Sequence, residues 1–334
     1  MAPPLYGFNF QWLFNSDRGD GPIEPDLQAL DFLAAHDLRF VRVPIDYRYL
    51  VSGEGYDEYH EANWELVDRI LDACRQRGLY CSLNLHRAPG YCINRNELER
   101  HNLWTDPQPQ EAFIRLWATW AGRYRGIPAA ELEFDLVNEP PPVGRYDMTR
   151  EGHEALMRRT VAAIREADPD RPITVDGLNA GNIPLPELAD LDLRQSCRGY
   201  APMAISHYGA SWVSHILTDA PTPKWPGLQW QGRRWDREVL MEHYQPWRQL
   251  ADEGVTIHAG ECGCYNQTPN EVALAWLADL FATFQDLGWG YALWQFRGPF
   301  GIADHGRAGA RIETVHGIDV DRDLLELFLA CRVS

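Results

Sequence analysis

A chain of 334 residues, 45% of them hydrophobic, can bury a large core, and its length fits one α/β barrel as readily as two smaller domains. Lys plus Arg number 31 against 48 Asp plus Glu, a net charge of −17, so nucleic acid, anionic membrane and uronic-acid-rich glycans are disfavoured as partners. The 13 Trp, 14 Tyr and 12 Phe suit stacking on neutral sugar rings and suit an ordinary large core equally well.

The chain in order reads as strand then helix, repeated eight times. Tyr6 to Phe10 is a short strand, and Asp26 to His36 places Leu27, Leu30, Leu33 and Ala34 on one helical face. Arg39 to Pro44 is the second strand, and Ala62 to Arg77 is its helix, stopped at Gly78. Leu79 to Leu85 forms the third strand with His86 at its end, followed by a helix over Glu111 to Tyr124. The fourth is the apolar run ending in Phe134-Asp-Leu-Val-Asn-Glu-Pro140, which delivers Asn138 and Glu139 to a strand end before three prolines. Its helix, Arg150 to Ala167, is stopped by Asp168-Pro169. Ile173 to Asp176 is strand five, with a short helical segment near Leu185 to Leu191. Met203 to Tyr208 is expected as strand six, with a Trp-rich loop (Trp212, Trp225, Trp230, Trp235) before a helix over Asp236 to Glu253. Val255 to Gly260 leads to Glu261, Asn270 caps a helix to Leu287, Gly290 to Phe296 is strand eight, and Asp321 to Ala330 is the last helix.

Strand starts near 6, 39, 79, 131, 173, 203, 255 and 290 lie at least 30 residues apart, the span of a parallel crossover. A single (β/α)8 TIM barrel over residues 1–334, without a separate carbohydrate-binding module, is therefore expected. No phosphate-cradling glycine loop follows strand one, which argues against a dinucleotide-binding sheet. Seven scattered cysteines predict reduced, buried thiols. Cys262, Cys264 and His258 lack the second paired cluster of a zinc site, and neither metal nor organic cofactor is expected. The N-terminal MAPPLYGFNF has no basic region ahead of a long apolar stretch, which reads as cytoplasmic as written and as secreted if a leader has been removed.

In such a barrel the chemistry sits at the C-terminal strand ends. Asn9, Arg42, His86, Asn138, Glu139, His207, Tyr208, Glu261, Trp294 and Gln295 all fall there. Glu139 and Glu261 are two strand-end carboxylates, the pair that glycoside cleavage requires.

Arg42 in RVP, His86 in LNLHRAPG, Asn138-Glu139 in VNEP, His207-Tyr208 in ISHYG, Glu261 in HAGECG and Trp294 in ALWQF together resemble glycoside hydrolase family 5, the cellulase-like branch of the retaining barrels with catalytic glutamates after strands four and seven. The resemblance implies Glu139 as acid/base and Glu261 as nucleophile, Arg42 holding Glu261, Asn138 binding the sugar 2-hydroxyl, His86 another hydroxyl, Tyr208 steadying the nucleophile and Trp294 stacking beneath the reacting sugar. Much of the family separates the strand-six His and Tyr by one residue, whereas His207 and Tyr208 are adjacent and on a strand would face opposite ways. Arg87 beside His86 also departs from the family's double histidine. The expected substrate is a neutral β-1,4-linked glycan, glucan first and mannan second, soluble oligosaccharide before crystalline cellulose. Two rivals stay open: a non-catalytic glycan-binding barrel, and a metal-dependent barrel hydrolase using His86, His207, His258 and Glu261.

Overall fold

The computed structural model describes residues 4–18 and 22–332. Eight parallel strands form a ring: β1 Tyr6–Asn9, β2 Phe40–Asp46, β3 Tyr80–Ala88, β4 Leu132–Asp135, β5 Ile173–Asp176, β6 Arg194–Gly199, β7 Ile257–Cys262 and β8 Gly290–Leu293. Neighbours in sequence are neighbours in the sheet, β1 pairs with β8 as well as β2, and the ring has no free edge.

The helices form where apolar residues recur at helical spacing, and in some of them a side chain caps the first turn. Asp26 accepts from the Ala29 amide at the start of α1 Leu27–Ala35, Thr149 caps α4 Arg150–Ala167, and between them α2 Glu61–Arg75 and α3 Pro107–Arg123 follow β2 and β3. Trp64, Trp117, Trp120, Trp247 and Trp276 are fully buried, mostly on helix faces turned toward the barrel, and at about 25 cal/mol per Å² each supplies several kcal/mol of burial.

Strand six is not Met203–Tyr208. Met203–Ser206 is a single helical turn, and β6 lies earlier, at Arg194–Gly199, reached from β5 by another helical turn and the 3₁₀ segment Pro186–Leu191. The sequence RQSCRG hides this strand because its side chains are polar although nearly all are buried. The helix expected over Asp236 to Glu253 is two, α5 Arg237–His243 and α6 Gln245–Asp252. Pro246 lacks an amide hydrogen and its ring would collide with the carbonyl four residues back, so the axis breaks at Tyr244. α7 Asn270–Leu287 begins after Pro269, and its end is set by Gly288 at φ 72°. β8 is followed by the antiparallel pair Ile312–Val315 and Ile318–Asp321 and by α8 Arg322–Ala330.

Of the four tryptophans in the long loop after β6, Trp225 donates to Asp279 of α7 at 2.8 Å and Trp235 donates to the Trp230 carbonyl. The first bond pins the loop onto the helix layer, and the second closes a hairpin within the loop. Trp212 is 47% exposed. All seven cysteines are free thiols, six of them buried.

Candidate active site

Arg42, third residue of β2, is 1% exposed and spends its guanidinium across the barrel mouth. It donates to Asp135 at 2.7 Å, Glu261 at 2.6 Å, and Asn9 and Asn138 at 3.0 Å. Arg198 in β6 makes a matching cluster: Nε to Glu139 Oε1 at 2.8 Å, Nη1 to Asp176 and to Ser196 at 2.9 Å, Nη2 to Asn138 at 2.9 Å and to the second Asp176 oxygen. Nη2 also lies 3.3 Å from Glu261 Oε1. Both glutamates are thus held at the mouth by charge-assisted bonds.

A bulge aims Glu261. Ala259 pairs with Cys197 and Glu261 with Arg198, so Gly260 is the extra residue of β7. Only glycine fits there: a Cβ would stand 2.5 Å from Ser196 Oγ and 3.3 Å from Arg198 Nη1. Asn9 donates to the Gly260 carbonyl at 3.0 Å and fastens the bulge to β1. Glu261 Oε2 then accepts from the Tyr200 hydroxyl at 3.1 Å.

Glu139 follows β4 at a backbone φ of 48°, a left-handed conformation that costs a side-chain-bearing residue about 1–2 kcal/mol. Its amide donates to Asp176 Oδ2 at 2.9 Å and its carbonyl accepts from the Tyr91 hydroxyl, which together hold the turn. Burial and then the neighbouring Glu261 charge push its carboxyl up to about 7, against the opposing pull of Arg198. Burial likewise pushes Asp135 up to about 7, with Arg42 opposing.

Arg42, Asn138, Glu139 and Glu261 therefore meet as anticipated. His86, 6% exposed, stacks on Trp294 at 5.3 Å with Phe14 edge-on to both. Burial, then Arg42 and Arg198, hold His86 well below its ordinary range, neutral near pH 7. His207 lies at the rim, its ring 5.0 Å from Tyr200 and Nδ1 2.9 Å from Ser206 Oγ, lowered to about 4 by burial. Tyr208 is half-buried beyond it, and the hydroxyl on Glu261 is that of Tyr200. Asp135, Asp176, Arg198, Tyr200 and Tyr91 were missed by reading the sequence alone. Arg198-Gly199-Tyr200 has the one-residue spacing that would have flagged strand six, disguised because arginine stands where histidine was sought. His258 does not join the other histidines: it is the second residue of β7, packed on Phe40 at the opposite end of the barrel.

A family model for cellulase, glycosyl hydrolase family 5, matches residues 5–298. The chain belongs to glycosyl hydrolase family 5. Endoglucanase C of Acetivibrio thermocellus is 27% identical over 292 residues, 80% of this chain and 82% of its own length. Cellodextrinase A of Ruminococcus flavefaciens is 24% identical over 293 residues, covering 83% and 80%. A crystal structure described only as a glycoside hydrolase is 49% identical and superposes with a TM-score of 0.96 over 99% of this chain and 100% of its own. A mutant form of Thermotoga maritima Cel5A in complex with cellobiose shares the fold, with a TM-score of 0.77 at 22% identity over 98% and 100%.

As a family 5 glycoside hydrolase the chain departs from the pattern at two places. Arg198 occupies the strand-six position where a histidine was expected, and Arg87, after His86, turns to Glu99 at 2.5 Å and the Asn94 carbonyl at 3.0 Å.

Proposed function

We propose that this family 5 enzyme hydrolyses neutral β-1,4-linked glycans with retention, by double displacement, with Glu139 as acid/base and Glu261 as nucleophile. The observation that carries the assignment is the contrast between the two carboxyl environments. Glu261 accepts from Arg42 through one oxygen and from Tyr200 through the other, with Arg198 alongside, which holds its carboxyl in place at the mouth. Glu139, its side chain 15% exposed, is pushed up to about 7 by burial and Glu261, so it carries a proton over the acid side of neutrality.

Glu139 donates its proton to the glycosidic oxygen as Glu261 attacks the anomeric carbon; water, deprotonated by Glu139, then releases the sugar with its original configuration. Asn138 Oδ1 is clamped by both arginines, and its buried Nδ2 has no partner among the described residues. That free donor suits the sugar 2-hydroxyl, where bonding strengthens toward the transition state. His86 and Trp294 offer an aromatic face to the reacting ring. Glucan is the first substrate, in keeping with the endoglucanase and cellodextrinase relatives, and mannan the second, since Thermotoga Cel5A has also been solved in complex with mannotriose.

The test is hydrolysis of aryl β-glycosides and β-1,4-oligosaccharides by wild type, Glu139→Ala and Glu261→Ala with added azide, the product anomer read by proton NMR. Retained product from wild type, β-azide from Glu139→Ala and α-azide from Glu261→Ala are expected. Wild-type turnover in both variants would sink the assignment.

A further inference from the structure

Arg198 is a permanent cation, 2% exposed, whose five N–H donors are consumed by Glu139, Asp176, Ser196 and Asn138. Asp176 grips it with both oxygens and also holds the Glu139 amide, so the guanidinium and the acid/base residue share one anchor. The Glu261 carboxylate stands 3.3 Å from the same Nη2. Arg42 reaches Glu261 but makes no bond to Glu139. Tyr200 lies two residues on from Arg198, so the segment that places the cation also places the nucleophile's hydroxyl donor.

We infer that Arg198 is the positioning residue of the second half-reaction: bonded to Glu139 through Nε and flanking Glu261 through Nη2, it stays in place as the negative charge passes from Glu261 to Glu139, and so holds Glu139 as the base that activates water. The inference rests on the roles proposed above. In the first step the Glu139 proton goes to the glycosidic oxygen, the C1–O bond breaks with its electron pair on that oxygen, and C1 bonds to Glu261. The negative charge leaves Glu261 and appears on Glu139, while Arg198 moves nowhere. In the second step the water oxygen bonds to C1, its proton passes to Glu139, and the ester bond breaks with its pair returning to Glu261. A histidine at this place could shed its charge between the steps. An arginine does not.

The probe is 2,4-dinitrophenyl β-cellobioside, whose leaving group departs without a proton, so its turnover reports release of the sugar from Glu261. Arg198→Gln is expected to lower kcat by about 10²-fold with KM falling in step, to accumulate a glycosyl adduct on Glu261 in peptide mass spectra, and to be rescued by azide as β-azide product. Arg198→Lys, which keeps the charge without the two-point reach, falls between it and wild type with the same joint fall of kcat and KM. Wild-type kcat in Arg198→Gln, or a lower kcat at unchanged KM with neither adduct nor azide rescue, overturns the inference. If Arg198→Gln has no cooperative melt, Arg198→Lys decides: a joint fall supports the inference, and any other pattern overturns it. Glu139→Ala run alongside separates the two readings. Without azide rescue there, the proposed roles fail and this inference with them; with rescue there and wild-type behaviour in Arg198→Gln, this inference alone fails.

Discussion

At the floor of the barrel Glu133 accepts from the Tyr80 hydroxyl at 3.0 Å and from Arg194 at 2.5 Å, with Phe40 stacked on Tyr80. At the mouth, Arg42 and Arg198 face Asp135, Asp176, Glu139 and Glu261. Both clusters are buried in the same ring of strands, but the floor matches one carboxylate to one guanidinium and the mouth sets four against two. Matched charges in a dry interior need no proton and do no chemistry. Surplus carboxylates there cannot all ionise near neutral pH, so the mouth stores a proton, and Asp135 and Glu139 both rise to about 7. The same kind of bond stabilises at one end and tunes acidity at the other.

The largest expected effect separates the two ends outright. Glu261→Ala should lower kcat/KM by about 10⁴- to 10⁶-fold, whereas Glu133→Gln at the floor leaves kcat unchanged and lowers only the melting temperature; steady-state kinetics and calorimetry on both variants check this. Next come the arginines. Arg42→Met strands Asp135 and Glu261, so it should cost about 3–5 kcal/mol in denaturant unfolding as well as activity. Arg194→Met should cost stability alone, most of it recovered when Glu133→Leu is added, since replacing a buried pair by apolar residues is often neutral. A floor double variant with impaired kcat would break the comparison.

Within the mouth, Tyr200→Phe removes a donor to Glu261 and should lower kcat/KM about 10- to 100-fold, the worth of a hydrogen bond to a charged group, while Tyr208→Phe leaves it unchanged; equal losses in the two would restore Tyr208 to the site. The pH profile gives the finest measure. Glu139 must be protonated to act first, and burial with Glu261 raises its pKa, so kcat/KM falls as pH rises through about 7, approaching tenfold per pH unit beyond it. An alkaline limb near pH 5 would mean that Arg198 outweighs burial, Glu261 and Asp176 together.

Five motifs on the barrel strands or just after them were legible in the sequence because each lies in or directly after a run of strand-forming residues; the sixth, His207-Tyr208, follows a helical turn. Strand six itself was not legible, for the opposite reason. Its residues Gln195, Ser196 and Arg198 are polar and buried, 0 to 2% exposed: Ser196 and Arg198 bond to each other at the mouth, while Gln195 turns the other way and pairs with both backbone groups of Leu185. A pattern search for apolar strands passes over such a segment and selects Met203-Ala-Ile-Ser, whose apolar residues serve a helical turn. The left-handed turn at Glu139 was equally invisible, because nothing in Val-Asn-Glu-Pro announces that Asp176 and Tyr91 will hold its backbone.

The sequence by itself determined the alternation of strand and helix, the excess of acid, and the placement of Glu139, Glu261, Arg42 and Asn138 on or just after barrel strands, because local periodicity is a property of neighbouring residues. Only the tertiary structure decided that Arg198 and Tyr200 belong with them, that Tyr208 does not, and that Gly260 turns Glu261 inward. Those outcomes depend on which strands lie side by side once the barrel has closed: Asp176 meets Arg198, and Ser196 stands where a side chain on Gly260 would be. Contacts of that kind join residues far apart in the chain, and no local pattern encodes them.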